Sequence, residues 1–176
     1  MKKQLKAHIE LLKEPSNTEV IDFEQFIIRT NQILKDYDCT FRYLRSDSKR
    51  NGHIKATINK RTQEYKLELA INRKDNMGGQ VYTIIHELTH LINNHMFSRD
   101  LTKKQAEVVA DTTALYFINK YNLLSDYQTS DVGNKWDVNN YSNIYIDNMG
   151  LSSARYQVII KQINDSKIII ERLYLG

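Results

Sequence analysis

Apolar positions recur at helical spacing soon after the start of the chain. Phe23, Phe26, Ile27, Thr30, Leu34 and Tyr37 fall on one stripe, opened by Asp22 and Gln25 as a capping-box-like pair. The period then shortens to two, predicting strands over Thr40–Leu44, His53–Ile58 and Tyr65–Ile71. In the last, Tyr65, Leu67, Leu69 and Ile71 alternate with Lys66, Glu68 and Ala70. Three such runs in succession predict a small antiparallel sheet. Asn76-Met77-Gly78-Gly79 reads as a turn, and Gln80 to Met96 beyond it carries Val81, Ile84, Ile85, Leu88, Leu91 and Ile92 around most of a helical circumference. A helix apolar on nearly every side belongs in the centre of the fold. Thr102 with Gln105 opens another helix, to about Lys120, which packs through Ala106, Val109, Ala110, Thr113 and Phe117, with Tyr121 just beyond. The polar, Asn- and Tyr-rich stretch from Tyr121 to Asn143 reads as surface loop. Ser152 or Ser153 then starts a helix with Tyr156, Ile159, Ile160 and Ile163 on one stripe, followed by a short apolar tail from Ile168 to Leu175. With one Pro, six Gly and no repeat, the chain reads as one α+β domain over 1–176, its core about 22–121 and its helical C-terminal extension 122–176.

Composition narrows the class. A chain of 176 residues can bury roughly 70% of its unfolded surface in one core and is short for two domains. Hydrophobic residues at 41%, charged residues at 26% and a mean hydropathy of -0.56 exclude fibrous and disordered chains. No apolar run approaches the ~18 residues of a membrane span, so no membrane partner is expected. The opening MKKQLKAHIELLKE interrupts its apolar pairs with charge and lacks the continuous apolar region of a secretion signal, which makes the cytoplasm the expected location. Cys39 is the only cysteine, so any metal must be held by His and carboxylates. The net charge of +4 concentrates in Arg42, Arg45, Lys49, Arg50, Lys55, Lys60 and Arg61, with Asp47 the only acid between Arg42 and Arg61. A solvated hairpin explains that run without a partner. No Arg/Gly-rich or aromatic-interleaved pattern argues for nucleic acid, which stays open.

The chemistry sits in the apolar helix. His86-Glu87-Leu88-Thr89-His90 is an HExxH motif, and its four-residue step puts both imidazoles on one face, where they can hold one zinc ion. Glu87, turned aside, is placed to act as general base on a water at the metal. Chance alone yields such a motif in a chain with five His on the order of 1% of the time. Two His and a Glu inside an apolar helix also cost a few kcal/mol each to bury without partners, and a metal supplies one. The following helix carries Glu107 and Asp111 four apart, flanked by Ala110 and Ala114, which let helices approach closely. Zinc with two His needs a third protein ligand that leaves the fourth position open, and Glu107 fits that place. Asp111 can accept the other ring N–H of His86.

These residues resemble known families. HELTH followed by Glu107-x-x-x-Asp111 is similar to the gluzincin metallopeptidases, whose catalytic zinc is held by two His and one Glu. A closer resemblance is to the ImmA/IrrE family of bacterial and phage metallopeptidase-like proteins. It runs from Leu67-Glu68-Leu69-Ala70-Ile71-Asn72 through Val81–His90 to Glu107-Val108-Val109-Ala110-Asp111, covering about Lys66 to Tyr121. Thr89 stands where that family commonly has Gly, and the first 60 residues, read as one helix and then strands, are not expected to form that family's N-terminal helix-turn-helix domain. The stretch around Tyr127 and Trp136 is faintly similar to the metallopeptidase domain of ArdC-type antirestriction proteins. The resemblance implies a zincin-like fold and a zinc-dependent endopeptidase of narrow specificity. Its implied substrate is a regulatory protein such as a helix-turn-helix repressor of a phage or other mobile element. The alternative is a zincin-fold interaction module, an antirestriction or DNA-associated regulator, without peptidase activity.

Other residues carry less. His95, five beyond His90, is rotated off the ligand face of a continuing helix and reads as a helix-end His near the terminal carbonyls. His8 and His53 read as surface, and Trp136 as either a core plug or a substrate-facing aromatic. Tyr127, Tyr141, Tyr145 and Arg155 are the candidate donors to an oxyanion, and the sequence does not choose among them.

Overall fold

Short side chains start three of the helices in the computed structural model, which describes residues 19–133 and 151–175. Helix α1 (Phe23–Asp36) begins where the Asp22 carboxylate accepts from the Gln25 N–H, 3.1 Å away. Helix α2 (Met77–Ile92) is capped by Asn76, whose side-chain oxygen accepts from Gly79 N–H at 2.9 Å. Helix α3 (Lys103–Lys120) has the full capping box expected of Thr102 and Gln105. Strands β1 (Cys39–Tyr43), β2 (Gly52–Ile58) and β3 (Tyr65–Ile71) lie between α1 and α2. A short helix α4 (Leu124–Gln128) and a long helix α5 (Ser153–Leu175) complete the order. The architecture is α+β.

The sheet is mixed, which corrects the antiparallel expectation. Its order is β1-β3-β2: β2 runs antiparallel to β3 and β1 runs parallel to it. Ile71 pairs with both Tyr43 and Gly52, so the connection between β1 and β2 passes around the C-terminal end of β3. Two strands that flank a third from opposite sides, joined at the same end, must run opposite to each other. One of them is therefore parallel to the strand between. Periodicity reports strands and is blind to this choice.

The expected turn at 76–79 is instead the cap and first turn of α2. A side chain on Gly78 would collide with the Tyr127 backbone, and one on Gly79 with the Asp75 carboxylate. The glycines therefore serve close packing at a helix start and not a reversal. The helix also ends at Ile92, short of the expected Met96. Asn94 takes a left-handed φ of 54°, its N–H donates to Leu91 C=O and the His95 N–H donates to His90 C=O, the two bonds of a Schellman motif.

The segment from Tyr121 is not a bare surface loop. It forms α4 and returns over the start of α2, where Tyr127 and Val132 are buried and the Asp75 carboxylate accepts from Asp131 N–H at 2.9 Å. Its remainder, 134–143, lies outside the described residues. The apolar tail expected at Ile168–Leu175 is the second half of α5: Ile170 continues the buried stripe, and the partly buried Tyr174 stacks on Phe26 of α1 at 4.5 Å. The main core gathers Leu69 and Ile71 of β3, Ile84, Ile85 and Leu88 of α2, and Phe117 and Ile118 of α3. A second cluster joins Val108 and Val109 of α3 to Tyr156, Ile159 and Ile163 of α5. Both α2 and α3 are thus held on several sides, which fixes what they present to each other.

Candidate metal centre

Four residues advance a helix by little more than one turn, so α2 presents His86 and His90 together. Their Nε2 atoms stand 3.1 Å apart. From α3, Glu107 places Oε2 3.3 Å from His86 Nε2 and Oε1 3.6 Å from His90 Nε2. One ligand atom from each residue can be chosen so that all three lie within 4.8 Å of one another. A tetrahedral ion bonding N and O at about 2.0–2.2 Å spaces its ligand atoms by roughly 3.3–3.6 Å, close to the spacings here. Two imidazoles and a carboxylate suit a borderline divalent cation. Ala110 and Ala114 of α3 are both fully buried beside these carboxylates in sequence.

Glu87 stands apart from that trio. Its Oε2 accepts from the Ile54 N–H of β2 at 2.9 Å, which ties the carboxylate to the edge strand of the sheet. It borders a cleft of about 700 Å³ that also reaches His86, His90 and Glu107. Asp111, one turn beyond Glu107, puts Oδ1 2.8 Å from His86 Nδ1, off the axis of the ring N–H. The same oxygen accepts from the Tyr82 hydroxyl at 2.5 Å. Tyr82 precedes His86 by four residues on α2, the one signal in the sequence that could have pointed to it.

Electrostatics follow from this packing. Burial by itself would lower the His86 pKa, but the carboxylates of Asp111 and Glu107, with the charge of Glu87, outweigh it and raise the group to about 10. His86 in turn holds the Glu107 carboxyl well below the usual range, against the opposing effect of burial. For His95, burial pushes the imidazole down and favours its neutral form.

The remaining expected residues divide clearly. Tyr127 is buried under the site, its ring stacked on Tyr82 at 4.7 Å, and burial together with Asp111 raises its hydroxyl pKa. It does not line the cleft. Neither does Arg155, whose guanidinium donates to the Asp100 carbonyl at the start of α5. Tyr141, Tyr145, Trp136 and His8 lie outside the described residues. His53, expected at the surface, is mostly covered and lies 3.3 Å from Glu68 at the cleft margin. His95 is not idle at a helix end: the Schellman turn folds it back over the preceding turn, where its Nδ1 meets His90 Nδ1 at 2.9 Å. Among the described residues no helix is long and apolar enough to cross a membrane. No family model, curated protein or solved structure matches the chain.

Proposed function

We propose that the protein is a zinc-dependent endopeptidase of narrow specificity, with His86, His90 and Glu107 holding the ion and Glu87 acting as general base. The observation that carries this reading is the separation of roles among four neighbouring groups. Three converge at ligand spacing, and the fourth, Glu87, borders the same cleft while held aside by Ile54 N–H. A bound zinc would polarise a peptide carbonyl and lower the pKa of water toward ~7. Glu87 would accept a proton from water as the water oxygen bonds to the peptide carbonyl carbon, and would deliver it to the amine nitrogen as the C–N bond breaks. Asp111 and Tyr82 hold His86 in place from behind.

The proposed substrate class is a regulatory protein such as a helix-turn-helix repressor. A site built only for structure needs no base, so the presence of Glu87 beside the trio favours chemistry over an interaction module. The basic run from Arg42 to Arg61 gives the module little support, since Arg42 on β1 and Lys55 on β2 are already paired with Glu68 of the intervening β3 at 2.8 and 3.6 Å. The test loads wild type and Glu87→Gln with zinc, measures metal content, and incubates both with a peptide library and with repressors encoded beside the gene. Cleavage by wild type and a loss of ~10²–10⁴-fold in the variant at equal zinc content are expected. Equal activity of the two, or no cleavage by the zinc-loaded wild type, refutes the reading.

A further inference from the structure

We propose that His95 and Gln162 form a hydrogen-bond relay that fixes the tautomer of His90, making the C-terminal helix α5 part of the metal centre's support. This rests on the reading of His90 as a metal ligand. At the outer end of the relay, Gln162 presents Oε1 to His95 Nε2 at 2.8 Å; a carbonyl oxygen only accepts, so His95 carries its proton on Nε2. The neutral ring then offers a lone pair at Nδ1, and that atom lies 2.9 Å from His90 Nδ1. His90 must donate there, so its own proton sits on Nδ1 and its Nε2 is left as a bare lone pair. That Nε2 faces His86 and Glu107. Polarity set by one amide oxygen on α5 thus propagates through two rings to a nitrogen prepared for a cation.

Two further features show that the relay is built in. The Schellman motif at Asn94 places His95, as the residue after the left-handed position, over His90, the residue this motif brings it against. One turn along α5 from Gln162, Ser166 accepts from Asn93 Nδ2 at 2.7 Å, and Asn93 also donates to Thr89 C=O. The end of α2 is therefore docked on α5 at two points, four residues apart. His95 and Gln162 are positioning residues, which act on the metal centre through His90.

The test uses the full chain stripped of metal and titrated with zinc in competition with a chromophoric chelator, with cobalt absorption reporting ligand geometry and ring ¹⁵N shifts reporting the His90 tautomer. His95→Ala should weaken zinc affinity ~10–100-fold, the range for losing a group behind a ligand. His95→Asn should recover most of it, because Asn Oδ1 occupies the place of the imidazole Nδ1 and still accepts. Gln162→Leu should weaken binding and shift His90 away from the Nδ1–H form. A merely structural role would lower stability without this pattern of rescue. Wild-type affinity in both His95→Ala and Gln162→Leu overturns the relay while leaving the ligand assignment intact. Failure of wild type to bind zinc or cobalt overturns the ligand assignment and the relay with it.

Discussion

Binding of zinc should release close to one proton at pH 8, where ordinary histidines release almost none. His86 lies between Asp111 and Glu107, and their carboxylates hold its pKa at about 10. Below that pH the ring carries a proton on the nitrogen that a metal would use. A group with pKa about 10 is about 99% protonated at pH 8, against about 3% for a histidine at its usual ~6.5. Glu107, held low, is already ionised and contributes no proton. Competition with that proton lowers apparent affinity at pH 7 on the order of a thousandfold relative to the deprotonated site, and the deficit shrinks tenfold per pH unit up to about 10. Calorimetric titration in buffers of different ionisation enthalpy reads the proton count directly. Asp111→Asn, which removes the larger of the two carboxylate effects, should reduce the count at pH 8 while leaving all three ligands present. A count below about 0.2 in wild type, or one unchanged by Asp111→Asn, would refute the charge balance described for the site.

Removing the metal should destabilise the fold, because the three ligands come from two helices and the unfolded chain has no preformed site. At free zinc ~100 times its dissociation constant the linkage is about 2.7 kcal/mol, a loss of roughly 5–10 °C in Tm on adding chelator that zinc reverses and His86→Ala/His90→Ala abolishes. Away from the site, Arg42 first, then His53 and Lys55, hold the Glu68 carboxyl down at about 2. Its folded pKa is depressed, so its stabilisation is full above the unfolded value of ~4.3 and is lost as pH falls toward 2. Glu68→Gln should cost ~0.5–1 kcal/mol at pH 7, the modest size expected of a partly exposed cluster, and the difference from wild type should vanish near pH 2 in denaturant titrations.

What can be read from sequence is local. Helices α1, α2 and α3 declare themselves through caps and periodicity, and His86, Glu87 and His90 share one helix whose geometry fixes their relation before any tertiary contact exists. Glu107 and Asp111 are legible for the same reason, as a four-residue pair on the next helix. Tertiary choices are not. The parallel pairing of β1 depends on which side of β3 it joins, and the roles of Gly78 and Gly79 depend on α4 and Asp75 packing against them. Tyr127 lies in a polar stretch whose composition says surface, yet that stretch folds back and buries it. The sequence misplaces His95 because helical rotation is a guide only while the helix continues; the reversal at Asn94 breaks it.

The two imidazoles of the site are thus supported by unlike chemistry, and the difference bears on how many protons a metal displaces. A carboxylate behind His86 stabilises the imidazolium, so that ring holds a proton in competition with the cation. Behind His90 stands a neutral imidazole, which accepts a hydrogen bond without adding charge and leaves Nε2 as a lone pair. The proton on His86 Nε2 can then be shared with His90 Nε2, 3.1 Å away, and a single proton occupies the place of the cation. Converting the second support to the first kind should change the stoichiometry. His95→Asp puts a carboxylate oxygen where His95 Nδ1 stands, so zinc binding at pH 8 should release clearly more than one proton, and apparent affinity should rise with pH more steeply than in wild type. His95→Asn, with the same shape and no charge, should keep the count at one. If Asp and Asn give equal counts, the neutrality of the group behind His90 does not govern its protonation, and the asymmetry between the two ligands is one of geometry alone.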